Sequence, residues 1–88
     1  MRKHVIVSGS VQGVGFRNAA NKKAKEMNLT GWVQNKADGT VELEVEGQEE
    51  KLQYYLKQIE DGLNKFIKVE RMDVENKEDY GYDTFQTK

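Results

Sequence analysis

Alternating apolar and polar residues predict four strands in this chain, with a possible fifth at its end. Residues 3–8 form a short β-branched run that predicts a central strand, and residues 29–36 predict a second one. Residues 40–46 alternate strictly between aliphatic and glutamate side chains, which predicts a half-buried strand with a solvated acidic face. Residues 66–75 predict a fourth strand whose alternation is imperfect, and residues 84–87 predict a short edge strand.

Apolar residues at helical spacing predict two amphipathic helices. The first covers residues 16–27, and Asn28 is an acceptable stop for it. The second is marked by apolar positions between residues 52 and 63, with Gly62 near its end. Between the second and third strands, Asp38-Gly39 is a strong signal for a hairpin turn.

The segment between the first strand and the first helix predicts an anion-binding loop. Its sequence is Gly9-Ser10-Val11-Gln12-Gly13-Val14-Gly15-Phe16-Arg17. Glycine lets a ligand approach the main chain, and a helix N-terminus offers unpaired N–H groups and a partial positive charge. No Ser, Thr, Asp or Asn stands immediately before Phe16 to cap the helix, so an anion is a reasonable cap. Arg17 adds a fixed fork of donors suited to phosphate.

The element order β-α-β-β-α-β is that of the ferredoxin-like, split β-α-β fold. We expect one α+β domain over residues 1–88, with two helices on one face of an antiparallel sheet. In this topology the first and second strands run parallel, with the third between them. Their C-terminal ends then lie at one end of the sheet, about 10 Å apart. This order brings Arg17 and Asn35 together as candidates for one site.

Composition and charge narrow the classes of function. Fourteen Lys and Arg residues against fifteen Asp and Glu residues give a net charge of −1, which argues against a general nucleic-acid or membrane-surface binder. The absence of cysteine excludes disulfides, thiolate catalysis and Cys-type zinc sites. The apolar run near the N-terminus is too short for a signal peptide, and no segment could span a bilayer. We therefore expect a cytoplasmic protein, and its size and charge fit a monomer.

Two motifs at their observed spacing resemble those of the acylphosphatase family. The first is Gly9-x-Val11-Gln12-Gly13-Val14-Gly15-Phe16-Arg17, and the second is Gly31-Trp32-Val33-x-Asn35-x-x-Asp38-Gly39-x-Val41-Glu42. The resemblance implies a ferredoxin-like fold and hydrolysis of small-molecule acyl phosphates without metal or cofactor. It implies that Arg17 binds the substrate phosphate and that Asn35 positions the attacking water. It also implies phosphate binding by seven backbone amides, those of Ser10, Val11, Gln12, Gly13, Val14, Gly15 and Phe16.

The chain departs from the common family pattern at three places. Asn18 follows the arginine where an aromatic residue is frequent, and Gln34 precedes the asparagine where a basic residue is frequent. The C-terminal residues 83–88 are more polar than is usual. We expect the first two departures to affect specificity or rate and the third to affect stability.

The chemistry of an acyl phosphate suits these residues. The leaving group is a carboxylate whose conjugate acid has a pKa of about 4, so no general acid is required. The loose transition state of phosphoryl transfer needs charge stabilisation and alignment. Asn35 can orient a water molecule but cannot accept its proton near neutral pH. We therefore expect the proton to pass to a phosphate oxygen of the substrate, and we expect inorganic phosphate to inhibit competitively.

Plainer interpretations exist for each residue. Gly13 and Gly15 could form a simple turn, Asn35 could serve the hairpin, and the single histidine, His4, fits a structural role in its strand. Two other classes of function also stay open. One is an RNA-binding module of the same topology, faintly suggested by residues 13–17. The other is a small anion-sensing domain that binds phosphate without turnover.

Overall fold

The computed structural model describes all 88 residues, Met1–Lys88. Its elements follow the predicted order, with the fifth strand present. They are β1 (Arg2–Ser10), α1 (Phe16–Glu26), β2 (Thr30–Asn35), β3 (Val41–Glu46), α2 (Glu49–Glu60), β4 (Lys68–Lys77) and β5 (Phe85–Thr87). Asn28 adopts a φ of +57°, in agreement with its predicted role as the stop of the first helix. Neither helix is long and apolar enough to cross a bilayer.

The strands form one sheet in the order β4-β1-β3-β2-β5. β1 and β2 both pair antiparallel with β3, so they run parallel to each other with β3 between them, as predicted. The sheet departs from a purely antiparallel one at β5, which pairs parallel with β2. The reason is topological: β4 ends opposite the start of β1, and the chain crosses to the far edge at that end of the sheet. β5 must therefore start beside the start of β2.

The hydrophobic core lies between the sheet and the two helices. α1 packs over β2 and β5, and α2 packs over β4. Tyr55 of α2 is fully buried, and its hydroxyl donates a 2.8 Å hydrogen bond to the carbonyl oxygen of Ala20 in α1. Burial raises the pKa of the Tyr55 hydroxyl, which therefore stays protonated and keeps this bond between the helices.

The imperfect alternation of β4 has a structural cause. Ser8 lies opposite Arg71 but Gly9 lies opposite Val69, so Glu70 is an extra residue that forms a β-bulge. The bulge turns both Val69 and Met72 toward the core although they are three positions apart. At this point Gly9 has a φ of +129°, and a Cβ there would lie 2.2 Å from the carbonyl oxygen of Lys68. Only glycine allows the two strands to approach so closely just before the candidate loop.

The outward face of the sheet is less solvated than the glutamate pattern predicts. Glu44 is only 8% exposed, and its carboxylate accepts hydrogen bonds from Arg2 and from the Tyr82 hydroxyl, both at 2.6 Å. Tyr82 belongs to residues 78–84, which cross this face between β4 and β5. The expectation of a solvated acidic face is therefore wrong for Glu44, because the crossing segment covers it.

Glu46 anchors the crossing segment. Its carboxylate accepts hydrogen bonds from the backbone amides of Tyr80, Gly81 and Tyr82. Partial burial of Glu46 opposes ionisation, but these three amides outweigh it and hold the pKa of the carboxyl below its usual range. Because the pKa is lowered in the folded state, the contribution to stability is present at neutral pH and is lost as the pH falls through that folded pKa.

We expect Glu46→Gln to reduce the free energy of unfolding at pH 7 by about 1–2 kcal/mol, since an amide replaces a charged acceptor of several amides. The difference in free energy of unfolding between the variant and the wild type should become smaller below the usual glutamate pKa of about 4.3. Urea titrations at pH 7 and below that pKa measure this difference. Glu70→Gln is the matched control, because its exposed side chain makes no hydrogen bond or ion pair. Equal losses for both variants at both pH values would contradict the anchoring role.

Candidate active site

One cavity of about 340 Å³ lies where β1 and β2 end. Both predicted residues, Arg17 and Asn35, line it. The juxtaposition that the topology predicted is therefore confirmed. The remaining lining residues are Val11, Gly13, Gly15, Phe16, Asn18 and Thr87.

The loop that borders this cavity has free main-chain amides. Gly13 and Gly15 have φ values of +75° and +80°, a region that other residues rarely adopt. The amides of residues 11–15 donate no hydrogen bond within the protein, and the ladder of α1 begins with the Ala19 amide, which donates to the carbonyl of Gly15. Buried Val11 and Phe16, each 1% exposed, fix the two ends of the loop. The result is a fixed row of donors beside the positive end of the α1 dipole.

The seven predicted phosphate-binding residues do not all border the cavity. Ser10 still belongs to β1, where it lies opposite Lys68 of β4, and it is not part of the lining. Gln12 and Val14 also stand outside the lining, whereas Val11, Gly13, Gly15 and Phe16 belong to it. Phosphate binding by the amides of residues 10–16 stays a prediction.

Arg17 lies in the first turn of α1 and has no Asp or Glu partner. Its Nη1 donates a 2.9 Å hydrogen bond to the main-chain oxygen of Lys88, just after β5. No Asp or Glu carboxylate approaches the guanidinium within 4.0 Å, and the first turn of α1 contains no acidic residue. One turn later, Asn21 donates a 2.9 Å hydrogen bond to Oγ1 of Thr87. The strand β5 therefore orients Arg17, and no Asp or Glu side chain competes with a ligand for its guanidinium.

Asn35 is the last residue of β2, and its exposed carboxamide makes no hydrogen bond within the protein. The turn chemistry of this hairpin belongs to Asp38 instead. Its carboxylate accepts hydrogen bonds from the Thr40 hydroxyl at 2.6 Å and the Thr40 amide at 3.0 Å, and these bonds lower its pKa. The interpretation of Asn35 as a turn residue therefore loses its support, since Asp38 makes the side-chain hydrogen bonds of the turn.

The side chain of Gln12 connects the two halves of the site. Its Nε2 donates 2.8 Å hydrogen bonds to the carbonyl oxygens of Lys36 and Thr40, at the base of the β2–β3 hairpin. The sequence predicts a role only for the backbone amide of Gln12. Its long carboxamide side chain, in a loop predicted to lie beside the hairpin, is the available signal for this contact. The direction of that side chain cannot be predicted. These bonds fix the distance between the loop and Asn35.

Asn64 supports the loop from the opposite side. Its Nδ2 donates a 3.2 Å hydrogen bond to the carbonyl oxygen of Val14, and its Oδ1 accepts hydrogen bonds from the amides of Phe66 and Ile67. Nothing in the sequence indicates this role, because Asn64 lies 50 positions from Val14. The loop is thus held between the hairpin and the α2–β4 connection.

His4 lies away from the cavity, on the outward face of the sheet. Its Nε2 is 2.7 Å from a carboxylate oxygen of Glu42, and Gln34 donates a 2.8 Å hydrogen bond to the other oxygen. The bond to His4 outweighs partial burial and, with that from Gln34, holds the pKa of Glu42 below its usual range. This agrees with the expected structural role of His4. It also places Gln34, one of the departures from the family pattern, on the opposite side of the sheet from the cavity, so the geometry does not support the expected effect of this departure on specificity or rate.

The comparisons with known proteins are consistent with one another. A family model described as Acylphosphatase matches residues 3–87. The chain is 55% identical to an acylphosphatase of Geobacillus kaustophilus over 84% of this chain and 78% of the relative. It is 43% identical to that of Methanospirillum hungatei over 96% and 92% of the two chains.

The chain belongs to the acylphosphatase family. A crystal structure of acylphosphatase from Bacillus subtilis superposes with a TM-score of 0.92 at 37% identity, covering 98% of this chain and 96% of that one. Acylphosphatases are hydrolases, and the ferredoxin-like fold of the relatives is the fold found here. The RNA-binding interpretation also fails on geometry. In such modules the motif belongs on a central strand, whereas residues 13–17 cover the end of the β1–α1 loop and the first turn of α1.

We expect Gln12→Ala to lower kcat/KM for benzoyl phosphate about tenfold or more while changing the free energy of unfolding by about 1 kcal/mol, because the loop and the hairpin lose their direct connection. Initial rates and urea titrations measure the two effects. Gln53→Ala is the control, since that glutamine is exposed on the outer side of α2 and bonds only to Glu49. An unchanged kcat/KM in Gln12→Ala would show that the connection is dispensable.

Proposed function

We propose that this acylphosphatase hydrolyses the carboxyl–phosphate bond of acyl phosphates with Arg17 and Asn35 as its catalytic residues. The observation that carries the proposal is their arrangement: an arginine without an Asp or Glu partner, a loop with free amides and an unbonded carboxamide meet at one cavity. Membership in the family supports the reaction. The roles of the individual residues follow from the chemistry of the groups.

The phosphate group fits the loop and Arg17. Free amides of the loop and the positive end of the α1 dipole provide neutral donors for its oxygens. The guanidinium adds a full positive charge and a planar pair of donors. Because these donors are fixed before substrate binds, they can stabilise the charge of the transition state without reorganising.

The water molecule fits Asn35. The carboxamide can accept a hydrogen bond from the water and direct its oxygen at phosphorus, in line with the scissile bond. As the new P–O bond forms, the P–O bond to the acyl group breaks and its electron pair leaves on the carboxylate. The water proton passes to a phosphate oxygen, so the products are a carboxylate and inorganic phosphate. No side chain needs to act as an acid or a base.

Three variants should separate the two roles. Arg17→Ala is expected to lose both turnover and phosphate binding, and Arg17→Lys should recover little because the planar fork is missing. Asn35→Ala is expected to lower kcat about 100-fold or more while inorganic phosphate still inhibits. The variant lacks the carboxamide that orients the attacking water but keeps the groups that bind phosphate. Initial rates with benzoyl phosphate and phosphate inhibition constants measure both effects.

Gln34→Ala is the matched control for Asn35→Ala, because the neighbouring carboxamide lies on the opposite face of the sheet. It should retain the turnover of the wild type. Unchanged turnover in Asn35→Ala would defeat the role in positioning water. A wild-type protein that binds phosphate but hydrolyses no acyl phosphate would favour the anion-sensing alternative.

The rate should be independent of pH around neutrality, because the proposed mechanism has no titrating base. His4→Gln should leave that profile unchanged, since His4 bonds to Glu42 outside the cavity. Rates of acyl phosphate hydrolysis between pH about 5.5 and 8, across the histidine range, provide the measurement. A limb near pH 6.5 that vanished in His4→Gln would overturn the mechanism.

The finer properties of this acylphosphatase stay predictions from its sequence. They are a monomeric state, a cytoplasmic location, competitive inhibition by inorganic phosphate, and hydrolysis without a metal. Light scattering tests the first, and activity in the presence of EDTA tests the last.

A further inference from the structure

A groove between the two helices continues from the candidate active site. It forms a second cavity of about 470 Å³ and shares Gly15 and Asn18 with the first. Its far walls come from α1 and from the end of α2, with Lys22 and Gln58 among them. An elongated substrate can therefore reach it without leaving the protein surface.

We propose that this groove receives the acyl part of the substrate and favours acyl phosphates that carry a second anionic group. The inference rests on the proposed function, because it needs the phosphate to lie at the loop and Arg17. In-line displacement places the leaving oxygen on the side of phosphorus opposite the attacking water. With the water at Asn35, the acyl group points away from β2. The groove, which does not include Asn35, starts on the side of Gly15 and Asn18.

The groove suits an anionic chain better than an apolar one. Only Ala19 and Leu63 are apolar among its lining residues, so an aromatic or aliphatic acyl group gains little contact. The lining includes two cations, Lys22 and Lys23, and one carboxylate, Glu26. The end of the groove nearer to the candidate active site therefore carries a positive charge.

Lys22 is the cation best placed to meet such a group. It lies one helical turn after Asn18, about 6 Å along the axis of α1. Its ammonium has no carboxylate within 4.0 Å, and Glu26 stands another turn further from the active site. Lys23, in contrast, lies over the Tyr54 ring at 5.7 Å. A carboxylate on a four-carbon acyl chain has the length to approach Lys22 from the loop.

The test compares succinyl phosphate with butyryl phosphate, two four-carbon acyl phosphates that differ in a terminal carboxylate. The wild type should have a KM about two- to fivefold lower for succinyl phosphate, as expected for one exposed charge pair. In Lys22→Gln that advantage should disappear, with kcat unchanged, because the contact stabilises substrate and transition state equally. Lys22→Arg should restore it.

Lys25→Gln is the matched control, since it removes the same charge from the same helix but borders neither cavity. It should keep the preference for succinyl phosphate. Equal KM values for the two substrates in the wild type, or an equal effect of Lys25→Gln and Lys22→Gln, would overturn the inference while the hydrolysis itself stands. Failure to hydrolyse either substrate would instead overturn the proposed function, and the inference with it.

Discussion

Two hydrogen bonds from the Gln12 carboxamide, to the carbonyl oxygens of Lys36 and Thr40, join the parts on which this site depends. β1 and β2 end at the same end of the sheet, but β3 lies between them and they share no hydrogen bonds. Strand pairing alone therefore does not fix the loop after β1 against the residue that ends β2. A long side chain bridges the gap. It makes the spacing between the row of amides and Asn35 a property of the fold rather than of a mobile loop.

The position of Arg17 depends on the other end of the chain. β4 and β5 occupy opposite edges of the sheet, so residues 78–84 must cross its outward face, where Glu46 binds three of their amides. This crossing delivers β5 to the edge beside β2. There Thr87 borders the cavity and the main-chain oxygen of Lys88 accepts a hydrogen bond from Arg17. An outward-facing carboxylate thus supports a site that it never touches.

The sequence predicts the elements, their order and the meeting of Arg17 with Asn35, because these depend on hydrophobic periodicity and on topology. It does not predict what depends on side-chain direction over long separations. Glu44 belongs to a strictly alternating strand, and the alternation predicts that its side chain is solvated. In the structure Arg2 and Tyr82 cover it. The roles of Gln12 and Asn64 cannot be predicted from the sequence either, since the partner of a carboxamide depends on which groups the folded chain brings next to it. The irregular pattern of β4, in contrast, correctly signals a real irregularity, the bulge at Glu70.

The distribution of charge explains how a chain with a net charge of −1 can attract an anion. Two cations near the N-terminus are compensated by carboxylates: Arg2 pairs with Glu44, and Lys3 pairs with Glu49. Arg17 instead has no Asp or Glu within 4.0 Å, and its guanidinium donates to the main-chain oxygen of Lys88. No acidic side chain therefore competes with phosphate for this guanidinium, and the loop amides and the helix dipole add to its charge at the cavity.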